Sequence, residues 1–106
     1  YISKICFMIL IYATLNNQEE ARKIGRRILE EKLANCVNFF PINCIYSYEN
    51  EIKEEPEIVI IIKTKKEKFE QVEKLIKSEI NYTNFIGQLE INKANAEFLK
   101  WLDGVV

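Results

Sequence analysis

The sequence contains no histidine among its 106 residues. That removes the commonest general base near neutral pH and the commonest transition-metal ligand, so catalysis or tight metal binding has to use other groups. Glycine is scarce: Gly25, Gly87 and Gly104 stand apart, and no Gly-rich loop is available to cradle a phosphate. The cysteines, Cys6, Cys36 and Cys44, form no C-x-x-C pair, which argues against a zinc cage and a disulfide framework. Cys36 and Cys44 lie about 26 Å apart along extended chain, too far to bridge within one strand. A reducing cytoplasm is the expected setting. The net charge of -1 provides no basic footprint for a phosphate backbone, so nucleic acid is not an expected partner. It also supplies little repulsion between copies, which favours self-association.

No apolar run reaches the ~20 residues that a membrane-spanning helix needs. The run ICFMILIYA, Ile5 to Ala13, follows Lys4 as a signal-peptide core would, but its β-branched and aromatic content fits a buried strand. No membrane association is expected. The chain begins at Tyr1 rather than methionine, which leaves an upstream segment an open question.

With 48% hydrophobic and 29% charged residues the chain has enough apolar surface for one core, and it reads as a single domain over 1–106. Ile5 to Thr14 is expected to be a strand buried on both faces. Asn17 caps a helix, with Glu20 reaching back to the cap, and Ala21, Ile24, Ile28 and Leu33 form its apolar stripe. Glu19 with Lys23 and Arg27 with Glu31 pair on the solvated side. Cys36 to Glu49 is a second extended stretch, and Pro41 within it suggests a bulge or an edge. The segment ENEIKEEPE reads as a turn region before a third strand, Glu57 to Thr64, and the two strands make a hairpin. Thr64 and Glu67 form a capping box opening a helix with stripe Phe69, Val72, Ile76 and Ile80. A short strand, Phe85 to Ile91, precedes a helix capped by Asn95, in which Phe98, Leu99, Trp101 and Leu102 supply buried surface.

This order predicts an α+β fold, the ferredoxin-like β-α-β-β-α-β arrangement with an additional C-terminal helix. Right-handed crossovers place the first and third strands side by side in the centre. The second strand is then an edge, long and rich in apolar residues. Such an edge aggregates unless covered, so it is expected to pair with another copy, with Phe39, Tyr46 and Tyr48 at the interface.

The chemistry that this fold often carries is missing. A heavy-metal carrier would need two cysteines in ATLNNQE, and an RNA-recognition domain would show stacking aromatics in EIVIIIKT. The carboxylates Glu49, Glu51, Glu54, Glu55 and Glu57 could attract hard divalent cations, although a charged solvated tip explains them as well. Lys63 either faces a pocket or snorkels at a strand exit, while Tyr82 and Trp101 read as core anchors. An enzyme would have to rest on Cys36 as a nucleophile with no histidine beside it. Cys36 is instead expected to behave as a small hydrophobe at a strand entry.

Four blocks in order resemble one family. LEEKLANCVNFFP is similar to its helix end followed by C-V-N and proline, and IYSYENEI to its Y-x-W-x-G-x-I hairpin approach. EIVIIIKT resembles its central strand ending I-K-T, and NAEFLKWL its N-P-x-Y-L-x-W-L helix. The chain thus resembles the CutA family of divalent-cation tolerance proteins from about Ile5 to Leu102. The resemblance implies a homotrimer in which long β-hairpins extend each other's sheets, no enzymatic activity, and a link with tolerance of copper and other divalent cations. In some members a cysteine after the first strand, and a histidine and glutamate of an H-P-Y-x-x-P-E segment, are proposed copper ligands. Here those positions are Ala13, Ile80 and Ile86; Tyr82 is retained, and Tyr48 and Asn50 replace the hairpin's tryptophan and glycine. A further histidine of some members is Glu79, a hard ligand unsuited to Cu(I). No cofactor is expected, and Glu79 and Glu49 remain weak sites for a divalent cation. The alternative is a PII-like signalling trimer binding a small anionic ligand or nucleotide in inter-subunit clefts lined by Cys36, Lys63, Tyr82 and Trp101.

Overall fold

The computed structural model describes residues 8–106, so Cys6 and the expected strand start at Ile5 lie outside the described residues. The elements are β1 (Met8–Leu15), α1 (Gln18–Glu30), β2 (Cys36–Tyr48), β3 (Glu51–Lys65), α2 (Phe69–Glu79), β4 (Ile86–Ile91) and α3 (Ala96–Val105). The four strands form one antiparallel sheet in the order β2-β3-β1-β4, with the two most apolar strands in the centre as the crossover rule requires. This is the ferredoxin-like order.

Strand alternation divides the sheet into two faces. Ile9, Ile11, Ala13 and Leu15 of β1 lie opposite Thr64, Ile62, Ile60 and Ile58 of β3, and all eight are buried. Over them pack Ala21, Ile24 and Ile28 of α1 with Val72, Leu75 and Ile76 of α2, completing the core. The opposite face, with Leu10, Tyr12 and Thr14 of β1, is only half-buried.

Helix α1 begins at Asn17, whose Oδ1 accepts the Glu20 N–H at 2.8 Å. The Glu20 carboxylate reaches back one residue beyond the cap and accepts from the N–H of Asn16 at 3.0 Å. At the other end Lys32 takes φ 58°, the Leu33 N–H donates to the Ile28 carbonyl, and the Lys32 N–H donates to that of Leu29. This Schellman arrangement turns the chain from helix to strand and pins Leu33 against the core. Gly25 lets α1 approach the sheet, since a Cβ there would stand 3.3 Å from Val37.

Several expectations are corrected. Thr64 does not cap a helix: β3 runs on to Lys65, and a 3-10 turn, Lys66–Lys68, leads into α2 without a side-chain cap. Because Thr64 stays in the ladder opposite Ile9, its buried hydroxyl points into the core and donates to the Leu33 carbonyl. The segment EIKEEPE is strand rather than turn, paired residue by residue with Ile42–Tyr48, from Glu57 opposite Ile42 to Glu51 opposite Tyr48. The turn is Glu49 and Asn50 alone, both with positive φ (51° and 65°), the twist that suits a two-residue hairpin. Pairing with β1 stops at Ile58, so Pro56 has β2 on one side only, where a missing donor is tolerated. The hairpin projects beyond the core, and the molecule measures 49 × 26 × 21 Å.

The third correction concerns α3. Leu102 is fully buried and Phe98 and Leu99 half-buried, but Trp101 is 51% exposed. The helix sits at the margin of the open face, tied by Lys65 Nζ to Asp103 at 2.9 Å, and presents more apolar surface than one chain covers. Asn95 occupies the cap position and its carbonyl accepts the Leu99 N–H at 3.2 Å, but its side chain makes no cap hydrogen bond and contacts Glu97 instead. On the lone pair pairing of Lys23 the expectation also changes, since its ammonium meets Glu79 on α2 rather than Glu19.

Thr64→Val removes the buried hydroxyl that donates to the Leu33 carbonyl. The expected loss is about 1–3 kcal/mol, read as a lower denaturant midpoint with unchanged slope at fixed protein concentration.

Candidate functional site

Register brings together residues that are far apart in sequence. Cys36 at the start of β2 lies opposite Lys63 near the end of β3, and Lys63 lies opposite Leu10, which lies opposite Leu89 of β4. All four share the open face. The Lys63 Nζ approaches the Cys36 Sγ at 3.7 Å and stands 5.6 Å from the centre of the Phe98 ring of α3. Phe98 in turn packs edge-on to Trp101, with ring centres 5.2 Å apart at 71°. Three of the four expected cleft residues therefore adjoin one another through Phe98, which the sequence reading used only as core. Its i,i+3 spacing from Trp101 was the available signal.

Tyr82 is not part of this cluster. Its hydroxyl donates to the Glu20 carboxylate and accepts the Asn16 N–H at 3.1 Å, at the other end of β1 from Leu10. Burial first, and then the Glu20 hydrogen bond, push the phenol far above its ordinary value, so it remains a neutral donor. Tyr82 thus fastens the loop before β4 to the start of α1.

The expected interface residues lie in different settings. Phe39 faces the helix layer, packed against its own core beneath the Arg22 guanidinium at 5.5 Å. Tyr46 donates to Glu55 at 2.8 Å, and this bond is the main reason its phenol is pushed up. Tyr48 is 54% exposed at the hairpin end, where Ile45 and Ile52 are also open to solvent.

The positions that the resemblance sets against the proposed copper ligands are hydrocarbon and belong to the core region. Ala13 is fully buried and lies opposite Ile86, and Ile86 and Ile80 both pack on the core cluster. None can donate an electron pair. Glu79 is committed elsewhere: its carboxylate meets Arg27 Nη1 at 2.8 Å and Lys23 Nζ at 3.2 Å, while Arg27 Nε also holds Glu31 at 2.7 Å. Glu79 ends α2, where the helix dipole disfavours an anion, and the cations of α1 offset that. Glu49 sits in the exposed turn. Among the described residues no group of three or more histidine, cysteine or acidic side chains is placed to hold a metal ion.

With this geometry, the comparison with known proteins is decisive for ancestry. Residues 9–105 match the family model described as CutA1 divalent ion tolerance protein. The chain belongs to this CutA1 family. It is 41% identical over 97 residues to the divalent-cation tolerance protein CutA of Archaeoglobus fulgidus, covering 91% of this chain and 95% of that protein. The Thermotoga maritima CutA is 38% identical over 96 residues, covering 90% and 95%. Among solved structures, the Archaeoglobus fulgidus periplasmic divalent cation tolerance protein CutA superposes with TM-score 0.90 at 39% identity, covering 92% and 97%. CutA1 from Oryza sativa gives 0.91 at 28% identity, covering 97% and 96%. Similarity over nearly the whole length extends to the hairpin and α3 as well as the core.

The Arg27 hydrogen bond, and then that of Lys23, hold the Glu79 carboxyl below its ordinary value. A lowered carboxylate pKa stabilises the fold fully above the unfolded value, and this contribution is lost as pH falls through the folded one. Glu79→Gln is therefore expected to lower the Tm by a few degrees at pH 7, with the difference shrinking as pH falls below the ordinary glutamate value of about 4.3 and vanishing once it passes below the lowered folded value. Melting curves of both proteins across pH check this.

Proposed function

We propose that the protein is a non-enzymatic homotrimer associated with tolerance of divalent cations, copper among them, that has lost the soft-metal ligands. The observation that carries this reading is a family match over residues 9–105 combined with hydrocarbon at Ala13, Ile80 and Ile86. The relatives' name, divalent-cation tolerance protein CutA, supplies the physiological association. Trimer formation is supported by two edge strands, β2 and β4, and by a hairpin that leaves Ile52 82% and Ile45 66% exposed. Paired edges with a closed rotation remove the free strand that would otherwise aggregate. A cytoplasmic location suits cysteines that carry no disulfide framework, with Cys36 and Cys44 both free.

A second reading is favoured by one specific observation, the ammonium of Lys63 on the open face with a thiol and an aromatic ring as its recorded partners. It is a PII-like signalling trimer that takes a small anionic ligand or nucleotide between subunits.

Equilibrium ultracentrifugation at micromolar concentration is expected to find a single three-chain species; a monomer defeats the assembly. Calorimetric titration with Cu(II), and with Cu(I) under reducing conditions, is expected to show nothing tighter than about micromolar. A stoichiometric, tighter site would sink the claim that the ligands are lost.

A further inference from the structure

Among the described residues the buried polar side chains are Asn35 and Thr64, at 7% and 0% exposure. They belong to one place in the fold. The Leu33 carbonyl accepts from the Thr64 hydroxyl and Cys36 pairs with Lys63, so the chain on both sides of Asn35 is fastened to successive residues at the end of β3. Their hydrogen bonding differs. Thr64 Oγ1 spends its proton on Leu33 and keeps its lone pairs, whereas Asn35 Oδ1 and Nδ2 are both enclosed and have no hydrogen-bond partner among the described residues.

An enclosed amide without hydrogen bonds has given up its hydration with nothing in return, a cost that stable folds tolerate in few places. Whatever meets it has to donate and accept at once. A cation would engage Oδ1 and leave the Nδ2 protons unmet, and an anion would do the reverse. No charged side chain is buried among the described residues to balance either ion. A larger neutral ligand is excluded by the cover, since Ala34 is fully buried, Leu33 nearly so, and neither amide atom reaches the surface. Water is small, neutral and both donor and acceptor.

We propose that Asn35 and Thr64 form the binding site of a single internal water molecule at the junction of α1, β2 and β3. The water accepts from Asn35 Nδ2, donates one proton to Asn35 Oδ1 and donates the other to Thr64 Oγ1, three bonds in all, as is usual for a buried water. It extends the bond between Thr64 and Leu33 into a network that fixes the connection from α1 to β2, and with it the entry of the edge strand, from inside the chain. The site is independent of either functional reading and of assembly, because its side chains are already covered within one chain.

A high-resolution crystal structure of the intact protein is expected to show one ordered water at about 3 Å from both Asn35 and Thr64 Oγ1. In solution, NMR at mildly acidic pH should give water cross-peaks to the Asn35 side-chain amide with opposite signs in NOE and ROE spectra, the signature of a long-lived water. Asn35→Ala is expected to remove the long-lived water, seen as loss of the water cross-peak at the Thr64 methyl. Asn35→Ala and Thr64→Val should each lower the Tm by a few degrees, and together by less than the sum of the two shifts, since both lose the same water. Absence of the water in the parent protein, an Asn35 amide bonded only to protein atoms, or a cross-peak that persists unchanged in Asn35→Ala overturns the proposal. Strictly additive shifts overturn the shared site, as does a higher Tm in Asn35→Ala, which would make the amide an uncompensated cost. Where a variant does not fold, the parent's crystallographic and NMR result decides by itself.

Discussion

The structure depends on burying the alternating isoleucine-rich faces of β1 and β3 under two helices on one side only. Ile9, Ile11, Ile60 and Ile62 need that cover, and α1 and α2 supply it because their stripes repeat at the helical period. The central strands are also apolar on the reverse side, at Leu10, Tyr12, Val59 and Ile61, where only the short α3 is available. One face is thus finished within the chain and the other is not. The half-exposed Trp101 follows from that asymmetry.

The closed face was largely legible in the sequence, and the open face was not. The strand character of the apolar runs, the Asn17 cap and the Ala21, Ile24, Ile28 stripe each state a local preference that the structure keeps over the described residues, whereas the first strand, expected to be buried on both faces, alternates between buried and half-buried residues. Handedness then placed the strands. The hairpin was underestimated because EIKEEPE lacks apolar alternation; it is strand through backbone pairing to β2, with the register set by Glu49 and Asn50. Thr64 carried two signals at once, a capping pattern and a ladder position, and continued pairing with β1 decided between them. For Trp101 the helical stripe was correct, but a stripe does not reveal whether a surface stands opposite it. The contact of Cys36 with Lys63 is a product of strand register, which no spacing along the chain encodes.

Site residues split along the same line. Tyr82 and Glu79 are held by groups of α1 and stabilise the helix layer's junctions, so their polar atoms are already used. Lys63 is on the open side, where its contacts among the described residues are the Cys36 sulfur and the Phe98 ring. Residue type alone did not distinguish a structural lysine from an available one; the distribution of acids across the two faces did.

That distribution also bears on how cations enter the protein's role. Ala13 and Ile86 face each other on the helix side of the sheet and Ile80 packs beside the same core, so a metal-binding side chain placed at any one of them would put a polar group among hydrocarbon without the others to complete a coordination sphere. Oxygen ligands survive only at the periphery, in the hairpin carboxylates, where water competes on equal terms. The link with cations therefore rests on the relatives' name, divalent-cation tolerance protein CutA, and not on a coordination sphere among the described residues.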